Sequence, residues 1–212
     1  ETRLEGPFSE WTGHYSPAKP EAAFRVKGIL HRDNPIILGY LPYLGPGVPT
    51  GYTHLVRAAR LWSHLNKIVP GVKGVWNHID FGGAHAFAIS IEQKYGGHAK
   101  QTALAALGQY NYLRKMVIVV DEDIDPSNLR EVMFAIGMRS DPAAWDIARD
   151  CWNGTLDPLL SPQKREIGDV TQSAAMILAC KPYYWIKDFP PLVKSDPALE
   201  KKVMEKWPEL QP

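Results

Sequence analysis

A chain of 212 residues, 45% apolar and 22% charged, has ordinary globular balance and enough length to bury one or two cores. Its 24 Lys and Arg against 23 Asp and Glu leave a formal charge of +1, and the nearest approach to a basic run, Lys201-Lys202, is flanked by Glu200 and Glu205, so neither nucleic acid nor an acidic membrane surface is indicated as a partner. No apolar run approaches the ~20 residues that span a bilayer, and the first residues lack the basic and apolar regions of a signal peptide. Cys151 and Cys180 belong to no metal-spaced group and read as two buried thiols in a reducing, cytoplasmic setting. The chain lacks an initiating Met and begins inside a motif-like stretch, so an excerpt, a processed subunit or a proteolytic product is expected.

The opening ETRLEGPFSEWTGHY sets Glu5 and Glu10 on either side of Gly-Pro-Phe-Ser, just before Trp11, His14 and Tyr15. In an extended strand an odd separation puts two side chains on opposite faces, but a Gly-Pro bend can bring them back together. Paired carboxylates resist joint ionisation, which makes one a proton donor while the other stays charged. Two solvated loop acids are the alternative. Residues 22–44 carry two apolar runs, around Phe24, Val26, Ile29 and Leu30 and then Ile36, Ile37, Leu38 and Tyr40, with the turn signal Asp33-Asn34-Pro35 between them. They predict an antiparallel hairpin, the end of a barrel or sandwich. The Gly- and Pro-rich 44–51 stretch is a connector.

The 3–4 spacing of Leu55, Ala58, Leu61, Trp62, Leu65 and Val69 predicts a helix over 52–69, capped by Thr50 or Thr53 and stopped by Pro70-Gly71. Strands are predicted at 72–76, 84–91 and 115–121, the last a continuous apolar run of the kind buried on both faces. Helices are predicted at 98–107, with Gly108 as C-terminal cap, and at 128–137, capped by Asp125 or Ser127. Strand, helix, strand in this order makes a parallel crossover unit. Residues 140–194 are rich in turns, 169–180 fits a helix or a strand end, and 196–207 predicts a capped C-terminal helix. The fold class is α/β (α+β overall), with a mixed or parallel sheet.

Other chemistry is sparse. Asp121, Glu122, Asp123 and Asp125 stand at the end of an apolar strand, where open α/β sheets place ligands; they would either bind Mg²⁺ or Ca²⁺ or serve the following helix N-terminus. His78, His85 and His98 form no zinc-spaced pair, so no metal ligand is assigned. Cys151 has no context that would make it a nucleophile.

Three stretches together carry a resemblance. EGPFSEWTGHYS (5–16) resembles the E-G-P-F-x-E-x-x-G-Y signature of the UbiD family of decarboxylases, VIVVDEDIDPSNLREVMFAIGMRSDP (117–142) resembles that family's strand, acidic turn and helix, and GGHAKQTALAAL (96–107) with Leu156-Asp157-Pro158 fits the order. The resemblance implies a C-terminal portion of an enzyme that reversibly decarboxylates aromatic or α,β-unsaturated acids with prenylated FMN, a divalent metal (usually Mn²⁺) and K⁺. It implies Glu10 as proton donor and Glu5 as a carboxylate paired with an arginine. It also implies the end of a split β-barrel over 1–46, a connector and linker helix over 47–70, an α/β domain over 71–194 and a C-terminal helix and tail over 195–212. The family's catalytic arginine, metal ligands and most flavin contacts lie upstream of the signature, and Arg3 is too near to be that arginine. Flavin-binding residues of this chain are therefore unassigned. Ser9 stands where Gly is more usual, and His14 precedes the Tyr. Implied partners are the N-terminal remainder of the enzyme, a small aromatic or unsaturated acid, and further copies in a dimer or hexamer. A non-catalytic association module is the alternative.

Overall fold

The computed structural model describes residues 1–39, 48–82, 85–109, 114–193 and 196–207. The chain begins with a two-stranded antiparallel ladder, β1 (Thr2–Glu5) against β2 (Lys19–Ala22), in a register that sets Glu5 opposite Lys19. Helix α1 (Val48–Ile68) leads into β3 (Val72–His78) and β4 (Ala86–Ile91), an antiparallel pair. Helix α2 (His98–Gly108), β5 (Met116–Asp121), α3 (Leu129–Arg139), β6 (Asp146–Trp152), the short α4 (Pro162–Glu166), β7 (Thr171–Ala179) and α5 (Pro197–Lys206) follow.

The five long strands form one mixed sheet in the order β3-β4-β5-β7-β6. Its centre, β4, β5 and β7, is parallel, and the edges β3 and β6 run antiparallel to their neighbours. The central strands are apolar on both faces because both faces are covered. Leu61 and Leu65 of α1 and Ala103 and Ala106 of α2 pack on Phe87, Ile89, Val117 and Val119. On the opposite face Val132 and Ala135 of α3 pack on Ala88, Ile118 and Val120. Burying a side chain of this size stabilises a fold by about 1.5–3 kcal/mol, so this three-layer core dominates the stability of the chain.

Several local readings need correction. The hairpin expected over 22–44 is not formed among the described residues: no strand follows Ala22 up to residue 39, and Phe24, Ile29 and Leu38 stay 90%, 77% and 92% exposed. Their alternation suits a strand, but no strand edge among the described residues pairs with them; Tyr40 to Leu44 lie outside those residues. Helix α1 begins at Val48, so Thr50 and Thr53 lie within it rather than at its N-terminus. Gly108 is the last helical residue of α2, with extended Gln109 as its cap. The α3 cap is Asn128, whose side chain accepts from the N–H groups of Arg130 and Glu131; Asp125 instead accepts from the N–H and hydroxyl of Ser127. Residues 169–180 resolve as strand β7. Cys180 is buried, whereas Cys151, on the edge strand β6, is only half-buried.

Candidate active site

Glu5 ends β1 and Glu10 sits in the loop that joins β1 to β2. Gly6 turns the chain between them at φ +89°, a left-handed conformation that glycine reaches without steric cost. The loop then closes on itself. Phe8 and Ser16 are cross-linked by Ser16 N–H to Phe8 O at 2.8 Å, and by the Ser16 hydroxyl, which accepts from Phe8 N–H at 3.3 Å. Glu10 N–H donates to His14 O, and Gly13 N–H donates to Glu10 O, both at 2.9 Å. His14 Nδ1 lies 3.0 Å from Thr12 O, so the inserted histidine serves the turn itself. The next residue, Trp11, stacks on His85 at 6.5 Å between ring centroids and lies 5.3 Å beneath the Arg57 guanidinium. This tethers the Glu10 loop to the main domain, at the amino end of β4.

The result is one cleft of about 470 Å³ lined by both acids, a volume within the range of about 300–1,000 Å³ usual for small-molecule sites. Glu5, Glu10, Phe8, Pro17, Lys19 and Glu21 form one wall. The other comes from the connection between β6 and β7: Thr155, Leu156, Leu160, Arg165, Gly168 and Val170. Glu5 is exposed and Glu10 half-buried. Lys19 is ion-paired to Glu21, whose hydrogen bond holds the ammonium above its ordinary pKa.

The β6–β7 wall is built around two groups absent from the motif reading. Arg165 donates to three backbone carbonyls: Nε to Leu160 at 3.0 Å, Nη1 to Thr155 at 2.7 Å and Nη2 to Asp157 at 2.7 Å. Asp157 is fully buried and accepts from Lys115 Nζ and Leu159 N–H, both at 2.9 Å, and from Asn153 Nδ2 at 2.6 Å. Turn-rich composition hid both; only the Leu-Asp-Pro triplet at 156–158 pointed here.

The remaining residues singled out in the sequence lie elsewhere. The acidic turn after β5 is at the carboxyl end of the parallel strands, whereas the cleft adjoins their amino ends. Its carboxylates are engaged by cations, Asp121 and Asp123 by Arg139, and Asp123 also by Lys181. Among the described residues no three His, Cys, Asp or Glu side chains converge as a metal site. Burial pushes the imidazoles of His78 and His98 below their ordinary pKa, and His98 Nδ1 accepts from Lys94 N–H. Cys151 Sγ lies 3.8 Å from the carbonyls of Ala148 and Arg149, away from the cleft lining.

A mixed sheet with helices on both faces, joined to an N-terminal ladder that carries two acids into a cleft, defines an α/β protein. The family model of the 3-octaprenyl-4-hydroxybenzoate carboxy-lyase C-terminal domain matches residues 52–180, and that of the Rift-related domain matches residues 1–44; the chain belongs to this family. It is 37% identical over 146 residues to the phenolic acid decarboxylase of Bacillus subtilis (strain 168), covering 67% of this chain and 30% of that relative. The chain thus spans about a third of the length of the curated relatives it matches.

Among solved structures it is similar to the UbiD-class enzyme HmfF from Pelotomaculum thermopropionicum in complex with FMN, with a TM-score of 0.77 at 28% identity over 94% of this chain and 43% of that one. An evolved dimeric form of HmfF, in complex with prFMN, gives 0.70 at 26% over 94% and 40%. Vanillic acid decarboxylase of Sedimentibacter hydroxybenzoicus in open form gives 0.77 at 28% over 99% and 44%. No helix among the described residues is long and apolar enough to cross a membrane.

Proposed function

We propose that this chain supplies the acid pair and one wall of the active site of a UbiD-class enzyme that reversibly decarboxylates an aromatic or α,β-unsaturated acid without oxidation. The observation that carries the reading is that Glu5 and Glu10 line a single cleft, opposite the apolar Leu156, Leu160 and Val170. Phe8 and Pro17 add apolar surface on the near side, so a flat ring has walls on both sides. When the bond to the carboxyl carbon breaks and CO₂ departs, Glu10 delivers its proton to the carbon left behind. Its half-buried position lets water return that proton. Glu5 lines the same cleft.

Losing CO₂ from an sp² carbon leaves electrons that no side chain can take up, which is the chemistry a bound prenylated FMN supplies. The FMN and prFMN complexes of HmfF support that cofactor. The described residues do not fit a holder for its phosphate with Mn²⁺ and K⁺: the cleft offers only Lys19, already paired with Glu21, and Arg165, already on three carbonyls. We assign those ions and the flavin to the N-terminal remainder of the enzyme. In the same reading residues 1–46 are the last strands of the flavin-binding split barrel, 47–70 connect, 71–194 form the α/β domain and 195–212 the terminal helix and tail.

The test is Glu10→Gln in the longer enzyme, assayed with a panel of aromatic acids that includes vanillic acid. Turnover is expected to fall by about 10²–10⁴ with flavin still bound. Near-wild-type turnover would remove Glu10 from the chemistry. A second reading, an association module in a dimer or hexamer with no activity of its own, is favoured by the exposed apolar run at Phe24, Ile29, Ile36 and Leu38. It predicts that activity is indifferent to Glu10 while the sedimentation coefficient depends on that run.

A further inference from the structure

We infer that Trp11 is a positioning residue for the proton donor: held by Arg57 of α1 and by His85 at the head of β4, it fixes the place of Glu10 in the cleft. The inference deepens the proposed function and rests on it for the role of Glu10.

The N-terminal ladder has little of its own to hold it in place. Among the described residues β1 and β2 pair only with each other, and an isolated two-stranded hairpin is marginally stable at best in water. The Glu10 loop does have a fixed internal shape. Its backbone bonds, from Glu10 to His14, from Gly13 to Glu10 and from Ser16 to Phe8, all close within it. They do not set where the loop sits on the domain. Burial is concentrated at its tip instead. Thr12 is buried and Trp11 half-buried, whereas Phe8 and Tyr15 to either side are exposed.

The Trp11 ring meets two groups of the α/β domain. The Arg57 guanidinium lies 5.3 Å from its centroid, and the His85 imidazole lies 6.5 Å away, inclined by 26°. Indole is the best ring for a cation, and a guanidinium this near its centroid is attracted to it. Both partners are themselves anchored. Arg57 belongs to the helix that sends Leu61 and Leu65 into the core. His85 O accepts from the N–H groups of Lys115 and Met116, at 2.9 and 2.8 Å, which ties it to β5. Gly82, at φ +67°, leaves room for the imidazole: a Cβ there would stand 2.8 Å from His85 Cδ2.

The described lining of the cleft includes Glu10 but not Trp11. Trp11 therefore acts on the chemistry through its neighbour. Consecutive Cα atoms are about 3.8 Å apart, so an indole that leaves its seat carries the Glu10 backbone with it. A misplacement of about 1 Å costs on the order of 10²-fold in rate.

The experiment is steady-state kinetics of the longer enzyme, with hydrogen exchange of the peptide that carries Gly13 and Ser16. Trp11→Leu keeps apolar bulk and drops the ring. It is expected to lower kcat at least about tenfold with KM within about twofold, and to accelerate exchange at Gly13 and Ser16. Trp11→Phe, which keeps a ring, is expected to recover part of the loss. Arg57→Met is expected to lower kcat with KM unchanged. The double variant is expected to be no worse than Trp11→Leu alone, because both residues act through one contact. A merely structural Trp11 would reduce the yield of folded enzyme and leave its kcat as it was. If the Leu variant does not fold, Arg57→Met and Trp11→Phe decide by the same split of kcat from KM.

Unchanged kcat in folded Trp11→Leu or in Arg57→Met, a raised KM at constant kcat, or additive losses in the double variant would each overturn the assignment. An inactive Glu10→Gln beside a fully active Trp11→Leu leaves the proposed function standing and removes this inference alone. A fully active Glu10→Gln removes both.

Discussion

Arg139 grips Asp123 with both terminal nitrogens, Nη1 to Oδ1 at 2.7 Å and Nη2 to Oδ2 at 3.0 Å, and the same Nη1 reaches Asp121 Oδ2 at 3.0 Å. Arg139 ends α3 and Asp121 ends β5, so this one side chain ties the helix to the sheet across the acidic turn. Both Arg139 and Asp121 are buried. Removing one partner strands the other charge out of water. Arg139→Met is expected to cost about 3–5 kcal/mol, read from urea denaturation. A loss below about 1 kcal/mol, the value of an exposed pair, would reduce the cluster to a bystander.

The same cluster sets a pH dependence. Burial pushes the Asp123 carboxyl up, but the hydrogen bonds and charges of Arg139 and Lys181 outweigh it and hold the group at about 2. An unfolded Asp titrates near 3.9. A folded value below the unfolded one gives stability that is complete above about pH 4 and is lost as pH falls towards 2. The urea midpoint is therefore expected to drop over that interval in the wild type. Glu92 and Asp169, also held at about 2, contribute to the same drop from the surface. Asp123→Asn is expected to start less stable and to drop less. An identical drop in both proteins would assign the whole effect to the other depressed carboxylates, Glu92, Asp169 and Asp157.

Arg114 presents the opposite case. It is 6% exposed, and among the described residues its Nε, Nη1 and Nη2 have no hydrogen-bond partner. Its guanidinium lies 5.0 Å from the Phe87 ring centroid, and burial pushes its pKa down to about 10. An attraction to the ring of about 0.5–2 kcal/mol offsets only part of a desolvation cost of several kcal/mol for a buried ion. Arg114→Met, which keeps the length and drops the charge, is expected to raise the urea midpoint. A midpoint lowered by the equivalent of more than about 1 kcal/mol would mean that the ring contact outweighs the desolvation.

These contrasts show what the sequence could reveal. MVIVVD declared β5 by its unbroken apolar run, because a strand buried on both faces must be apolar at every position. DPALEKKV declared α5 through Asp196, whose side chain does accept from Ala198 N–H. β6 was illegible: an edge strand half in solvent keeps Asp146, Arg149 and Asp150 and shows no clean alternation. β7 begins Thr-Gln-Ser-Ala-Ala, small and polar residues that fit either period. Glu5 and Glu10, which both line the cleft, were singled out by the motif they resemble. Arg165 was not, because its partners are backbone carbonyls, and a carbonyl leaves no trace in residue type. The 24–38 run misled for a different reason: alternation specifies which face of a strand is apolar, but a strand forms only where another edge receives it.

Asp157 links the core to the cleft, and its variant tests that link. Its carboxylate has no exposure and is held by Lys115, the residue before the central strand β5, and by Asn153 and the Leu159 N–H from its own loop. Burial pushes its pKa up, but the Lys115 and Leu159 hydrogen bonds prevail and the group is held below its ordinary value. Its backbone carbonyl in turn accepts from Arg165 Nη2. The chain of contacts therefore runs from β5 through Lys115 and Asp157 to the wall that faces Glu10. Asp157→Asn keeps the shape but presents an NH₂ group where donors converge, and it leaves Lys115 unpaired. Lys115 is about a quarter exposed and can turn to water, so the cost is expected at the low end of the buried-pair range, about 3 kcal/mol. The loss should be local. Amide hydrogen exchange is expected to accelerate at Asp157, Leu160 and Arg165, whose N–H groups bond within the loop, while Ile118 and Val119 in β5 stay protected. Uniform acceleration across loop and sheet would show that the loop and the core unfold as one unit. Unchanged exchange at all five positions would show that the Asn amide finds partners as good as those it replaced, and that Asp157 does not hold the wall.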